Sequence, residues 1–156
     1  MFTPVVWQPV NLNQLDITDS GLKELRKLEK LTELDLAYNE ITDISMQEIR
    51  NLKDLTTLDL SHTGVTDGGL KELTGLKQLT TLRLGGPKIT DAGLHAIIEH
   101  KNLTSLDLSG YGFTDAGVNE LKRLQHLRTL ALHRTHITDA GVKELRKSVG
   151  RVWVAR

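Results

Sequence analysis

Leu31-Thr32-Glu33-Leu34-Asp35-Leu36 returns as Leu55-Thr56-Thr57-Leu58-Asp59-Leu60, then as Leu79-Thr80-Thr81-Leu82-Arg83-Leu84. It recurs again as Leu103-Thr104-Ser105-Leu106-Asp107-Leu108 and Leu127-Arg128-Thr129-Leu130-Ala131-Leu132. Each step is 24 residues, with no insertion. A second block keeps the same step: Ile17-Thr18-Asp19, Ile41-Thr42-Asp43, Val65-Thr66-Asp67, Ile89-Thr90-Asp91, Phe113-Thr114-Asp115 and Ile137-Thr138-Asp139. Counting back from Ile17 makes Trp7, Val10 and Leu12 the leucine positions of a degenerate first repeat. Six repeats then cover residues 7–149. Self-similarity at a fixed period of this size belongs to stacked repeat architectures.

Inside each repeat the apolar period changes. Leu34 and Leu36 alternate with polar neighbours, the pattern of a strand with one buried face. Leu22, Leu25 and Leu28, like Leu70, Leu73 and Leu76, fall along one side of a short helix. Between them, Thr-Asp supplies a capping oxygen and a carboxylate at the positive helix end. One such unit buries too little apolar surface to offset the ordering of its backbone, so neighbours must complete the core. Parallel strands stack about 4.8 Å apart, whereas helices need roughly 8–10 Å. The mismatch predicts a curved α/β solenoid with a concave parallel sheet and short α-helices on the convex side.

With 156 residues the chain fits a single domain. Twenty basic residues balance twenty acidic ones, which gives no electrostatic footprint for nucleic acid or an anionic membrane. There is no cysteine, so disulfides and thiolate metal sites are excluded and a cytoplasmic location fits. The start, Met1-Phe2-Thr3-Pro4-Val5-Val6, lacks the basic residues and long apolar run of a signal peptide. No stretch approaches the ~20 apolar residues of a membrane helix. The ends read as caps. Phe2, Val5, Val6 and Trp7 are expected to cover the first repeat, and Pro4 and Pro9 to blunt its edge. Val152-Trp153-Val154 reads as a seventh strand, with Val154 in register with Leu130, both valines inward and Trp153 outward. The domain thus divides into an N-terminal cap (1–6), six repeats (7–149) and a C-terminal cap strand (150–156). Such capping predicts a monomer or a weak end-to-end dimer.

Leu-x-x-Leu-x-Leu followed by Ile-Thr-Asp-x-Gly-Leu-x-x-Leu resembles the leucine-rich repeats of the ribonuclease-inhibitor-like type, in the short form common in bacterial proteins. The resemblance implies a horseshoe whose concave sheet and adjoining loops bind protein partners. The family's turn asparagine appears here only as Asn39. Its equivalents are Leu15, Thr63, Pro87, Tyr111 and Thr135, with threonine the expected substitute at two of them.

The residues that point out of the strands are the informative ones, because packing does not dictate them. The candidate partner-binding residues are Glu33, Asp35, Tyr38, Asp59, His62, Arg83, Asp107, His133 and Arg134. Ala37 is also placed on this outward face. Arg83 lies one strand from both Asp59 and Asp107, so a charged ladder is expected, against a bland reading of solvated pairing. Gly85, Gly86, Gly110 and Gly112 would leave a bare floor beside it, with Tyr111 between the last two. The aspartate row from Asp19 to Asp139 has a calcium reading and a helix-capping reading; capping explains it without an ion. The recurrent Gly21, Gly69, Gly93, Gly117 and Gly141 (Ser45 in the second repeat) are small residues where neighbouring helices approach. His133 and His136 lack the third ligand that a metal site needs. Asp59, Ser61 and His62 lie on an open sheet with no water-poor pocket for a nucleophile. His100 stands at a leucine position and is expected to be buried. No catalytic residue, metal or cofactor is implied. The reading is a non-catalytic protein-interaction module; the alternative is a designed or structural repeat scaffold without a natural ligand.

Overall fold

Alternating leucines give each repeat a segment that is stable only when its apolar face is covered and its edges are paired. The computed structural model describes residues 8–28, 30–149 and 152–156, with Gln8 and Arg26 described by backbone alone. Among the described residues, seven strands form one parallel sheet in chain order. They are β1 (Gln8–Asn11), β2 (Leu31–Asp35), β3 (Thr57–Asp59), β4 (Thr81–Gly85), β5 (Ser105–Ser109), β6 (Thr129–Ala131) and β7 (Trp153–Ala155). From β2 onward Leu34, Leu58, Leu82, Leu106, Leu130 and Val154 pair successively without a shift. The pairing of β1 with β2 slips between Gln8 and Pro9, so that Gln8 rather than the expected Trp7 faces Leu31. Proline has no amide to give the ladder, which accounts for a slip at that position. Trp7 and the cap expected over residues 1–6 lie outside the described residues.

Returns on the far side of the core are α1 (Asp19–Leu22), α2 (Asp43–Ile49), α3 (Asp91–Ile97), α4 (Val118–Leu121) and α5 (Asp139–Val149). The expectation of α-helices throughout needs correction. Lys23–Lys27, Asp115–Gly117 and the whole third-repeat return, Gly69–Gly75, are 3₁₀-helical. The third repeat places Gly69 and Gly75 in this segment and Gly68 just before it, and each glycine costs an α-helix about 1 kcal/mol relative to alanine.

The core is a continuous file of leucines between strands and returns, with Phe113 wholly buried in place of the usual isoleucine. Two expectations fail at its margins. Leu28 is 41% exposed although Leu52, Leu76 and Leu124 at the same phase are buried. It belongs to the first described repeat, where the stack covers it from one side only. Ala37, expected to point outward, is buried, and its amide donates to Asp35 Oδ1 at 3.0 Å.

Two sets of side-chain hydrogen bonds tie one repeat to the next. Asn39, nearly fully buried, accepts from the Leu15 and Ile17 amides at 3.2 and 2.9 Å and donates to the Leu12, Leu36 and Ala37 carbonyls. Thr63 and Thr135 donate to Leu60 and Leu132 at 2.8 and 3.1 Å, so threonine takes over one of these bonds in two repeats.

The second set is the aspartate row, and it works differently from helix capping. Thr42, Thr90 and Thr114 are the caps, each accepting the amide two residues ahead. The aspartates instead reach across to the next repeat. Thr66 donates its amide and its hydroxyl to the two oxygens of Asp43 at 2.8 and 2.7 Å. The same pair of bonds links Thr42 to Asp19, Thr90 to Asp67, Thr114 to Asp91 and Thr138 to Asp115. Burial works to raise the Asp19 pKa, but hydrogen bonds from Ser45 and Thr42 outweigh it and hold the carboxyl below its usual value. The Thr138 hydroxyl and amide likewise lower Asp115. Asp139 has no such threonine ahead of it among the described residues, and the Arg156 guanidinium donates to it instead. At the edge of the sheet β7 takes the expected form: Val154 faces Leu130, Val152 is buried and Trp153 is exposed.

Candidate functional site

The residues that follow each strand set the geometry of the surface. Gln14, Tyr38, His62 and Arg134 occupy the left-handed region, with φ between 55° and 58°. Gly86 and Gly110 stand at the same phase with φ of 145° and 142°, a conformation essentially restricted to glycine. A β-carbon on Gly110 would lie 2.9 Å from the Gly86 carbonyl oxygen, so those two turns stack closer than any side chain permits. The bare floor anticipated from the glycines therefore exists at these positions, and turn packing is its immediate cause.

On the concave sheet, the expected ladder forms by half. Arg83 faces both Asp59 and Asp107 in the sheet, and its Nη1 lies 3.7 Å from Asp59 Oδ2. Asp107 makes no ion pair among the described residues and instead accepts the Ser109 hydroxyl at 2.6 Å. Asp59 Oδ1 accepts the Ser61 amide at 2.9 Å, the same local bond that Asp35 makes. Asp59 is also only 9% exposed. Asp35, Asp59 and Asp107 thus shape the ends of their own strands. Glu33 and Arg83 stay exposed. The Arg83–Asp59 pair, with an exposed guanidinium, contributes at most ~1 kcal/mol.

Tyr38, His62, His133 and Arg134 come together. They line one groove of about 670 Å³ with Gly86, Pro87, Ser109, Gly110, Tyr111 and Arg156. At one end Tyr38 and His62 are stacked, centroids 4.5 Å apart and planes 15° from parallel. Near the other end Tyr111 tilts against His136 at 5.6 Å. The His136 ring thus packs on an aromatic side chain. Among the described residues no three histidine, aspartate or glutamate side chains gather as a metal site would require. Near Asp59, Ser61 and His62 the bonds are structural: Asp59 holds the Ser61 amide and His62 stacks on Tyr38. Arg156 and Pro87 are groove residues that sequence reasoning missed. The signal for Arg156 was present in the register, since pairing Val154 with Leu130 puts Arg156 at the phase of Leu132, beside His133.

The matches to known proteins agree with this geometry. A family model described as "Leucine rich repeat" matches residues 10–65, and a second of the same description matches 99–121 and 123–145. Residues between the two, unmatched, carry β4 in unbroken register. No curated protein matches the chain. Among solved structures, internalin C2 from Listeria monocytogenes is similar over 94% of this chain at 21% identity, with a TM-score of 0.59. The leucine-rich-repeat domain of APL1B is similar over 83% at 18% identity and TM-score 0.65. A leucine-rich-repeat protein of Leptospira interrogans is similar over 86% at 26% identity and TM-score 0.60. The chain spans 66%, 38% and 33% of those three proteins. Repeat sequence, parallel pairing that runs without a shift from β2 to β7, and the family-model matches make one statement: the chain belongs to the leucine-rich-repeat family.

Proposed function

We propose that this chain is a non-catalytic protein-interaction module that engages a protein partner through its concave face and the turns beside it. The observation that carries this reading is a set of exposed side chains, Glu33, Arg83, Tyr38, His62, His133 and Arg134, on positions where core packing does not dictate identity. The open surface and the engagement of Asp59, Ser61 and His62 in strand-end and stacking contacts support a binding role over a catalytic one. The balanced charge of the chain favours protein over nucleic acid or an anionic membrane surface, and none of its described helices is long and apolar enough to cross a membrane. We place the module as a monomer or weak end-to-end dimer. The alternative, a repeat scaffold without a natural ligand, draws support from the invariant 24-residue step.

The test is co-purification from cell extract with Arg83→Glu and a convex-side control, Lys71→Glu. A partner lost with Arg83→Glu and kept with Lys71→Glu supports the concave face. Equal loss moves the interface elsewhere, and a protein set identical for all three favours the scaffold.

A further inference from the structure

We propose that the groove over Gly86 and Gly110 binds an extended acidic peptide segment. An apolar or aromatic residue of the peptide would lie against the Tyr38–His62 stack, and a carboxylate would pair with Arg134. The proposal deepens the protein-partner reading above and rests on it.

Charge sets the class of occupant. The described residues that line the groove include Arg134, Arg156, His62 and His133 and no carboxylate, in a chain whose net charge is zero. Arg156 is committed, donating to Asp139 and to the Ile137 carbonyl. Arg134 is exposed and makes no ion pair among the described residues. Four of the turn amides are spent: Tyr38, His62, Gly86 and Gly110 donate to the Ser61, Gly85, Ser109 and His133 carbonyls of the next repeat. Those four turns offer no nest of free N–H groups to cradle a phosphate. One free guanidinium beside an amide-poor floor suits a carboxylate, which it can hold by two parallel bonds.

Shape sets the length. Tyr38 and Arg134 are four repeats apart, about 19 Å at roughly 4.8 Å per strand. An extended chain covers that span in about six residues at roughly 3.3 Å each. Of the three turns between them, His62 carries a ring and Gly86 and Gly110 carry no side chain, so a peptide backbone can run close to the protein over the two glycines. Tyr38, 51% exposed, and Tyr111, 66% exposed, each pack one side against a histidine and leave the rest of the ring open. Large exposed aromatics and a free arginine are the residue types that dominate protein interfaces.

Backbone strain points to the same residues. A non-glycine residue with φ near 57° costs free energy that glycine at the same phase would avoid. Tyr38, His62 and Arg134 stand there while two neighbouring turns use glycine. Gln14, outside the groove, shares this conformation, so what distinguishes Tyr38, His62 and Arg134 is the side chain that each brings to the groove.

A display library of random six-residue peptides, selected on the full chain, tests the proposal. Enrichment of peptides that combine an acidic residue with an aromatic one is expected. A selected peptide should weaken by about tenfold or more with Arg134→Glu and with Arg134→Gly, and its affinity should fall as salt rises. Arg134→Gly should at the same time keep or raise the melting temperature, because it relieves the turn. No enrichment, enrichment of basic peptides, or affinity unchanged in both Arg134 variants overturns the proposal. So does equal competition by a single-stranded RNA hexamer. Loss of a natural partner with Arg83→Glu would in each case leave the concave-face reading standing, so the two failures are separable.

Discussion

Oδ1 of Asp43 lies where a β-carbon on Gly69 would have to go. At Gly69, Gly93, Gly117 and Gly141 the glycine after Thr-Asp is therefore empty space reserved for the carboxylate of the preceding repeat. Where the sequence departs from glycine the replacement is Ser45, whose hydroxyl donates to that carboxylate, here Asp19.

Gly69→Ala should destabilise the fold by about 1–3 kcal/mol through overpacking, less whatever alanine recovers from the unfolded chain. Asp43→Ala should cost about 1–3 kcal/mol by leaving the Thr66 amide and hydroxyl without their acceptor. Together they should cost clearly less than the sum, since removing the Asp43 carboxylate vacates the space that a methyl group at position 69 needs. Urea denaturation of the four proteins measures the coupling. Strict additivity would show that the carboxylate and the glycine are independent.

His100 is 2% exposed, with Nδ1 3.2 Å from the Leu76 carbonyl oxygen and a buried Nε2 that has no partner among the described residues. Burial lowers its pKa and outweighs the opposing bond to Leu76, while Lys77 and Glu99 act in smaller, opposite senses. As pH falls below the ordinary imidazole value of about 6.5, the unfolded chain takes up the proton first, and the native state loses stability. His100→Leu fills a site that Leu52, Leu76 and Leu124 fill elsewhere but removes one of two bonds to the Leu76 carbonyl, which keeps the Leu79 amide. At pH 8 the gain should be small, about 0–1 kcal/mol. Toward pH 5 the variant should pull ahead. A melting-temperature difference that stays constant across this range would contradict a neutral buried imidazole.

Asn39→Ala removes the acceptor of the Leu15 and Ile17 amides and the donor to the Leu12 and Leu36 carbonyls, while the Ala37 carbonyl keeps the Gln14 amide, at a cost of about 2–4 kcal/mol. Thr63→Ala breaks one well-formed bond and should cost about 1 kcal/mol. Comparable losses in thermal denaturation would mean that the asparagine network holds nothing beyond its own turn.

Deleting residues 152–156 uncovers the edge of β6, removes the buried Val152 and leaves Asp139 without Arg156. A lower melting temperature and concentration-dependent association in light scattering are expected. A truncated chain that stays monomeric and melts unchanged would show that β7 does not protect the stack.

Strand positions could be read from residue types alone because a leucine shifted by one position would face solvent, which leaves a single register for β2 to β7. The returns were less legible. Whether Gly69–Gly75 winds as α or 3₁₀ turns on small differences that three glycines tip. The aspartate links were hidden because they join residues 23 positions apart, while the neighbouring threonine accounts for the same motif as a cap. On the concave face, alternation identified which side chains point outward. It could not show that Asp35 and Asp59 would fold back onto their own turns, or that Arg83 would lean to one aspartate of two.

Every strand here bonds only to its immediate neighbours, and every aspartate link reaches only one repeat ahead. Under tension along the stack no single contact shares the load across the whole molecule. Pulled from its ends, the chain should peel one coil at a time, each rupture releasing roughly 80 Å of slack, the contour length of 24 residues at about 3.4 Å apiece. Such a body is a spooled tether: it yields in steps and leaves the coils still wound intact.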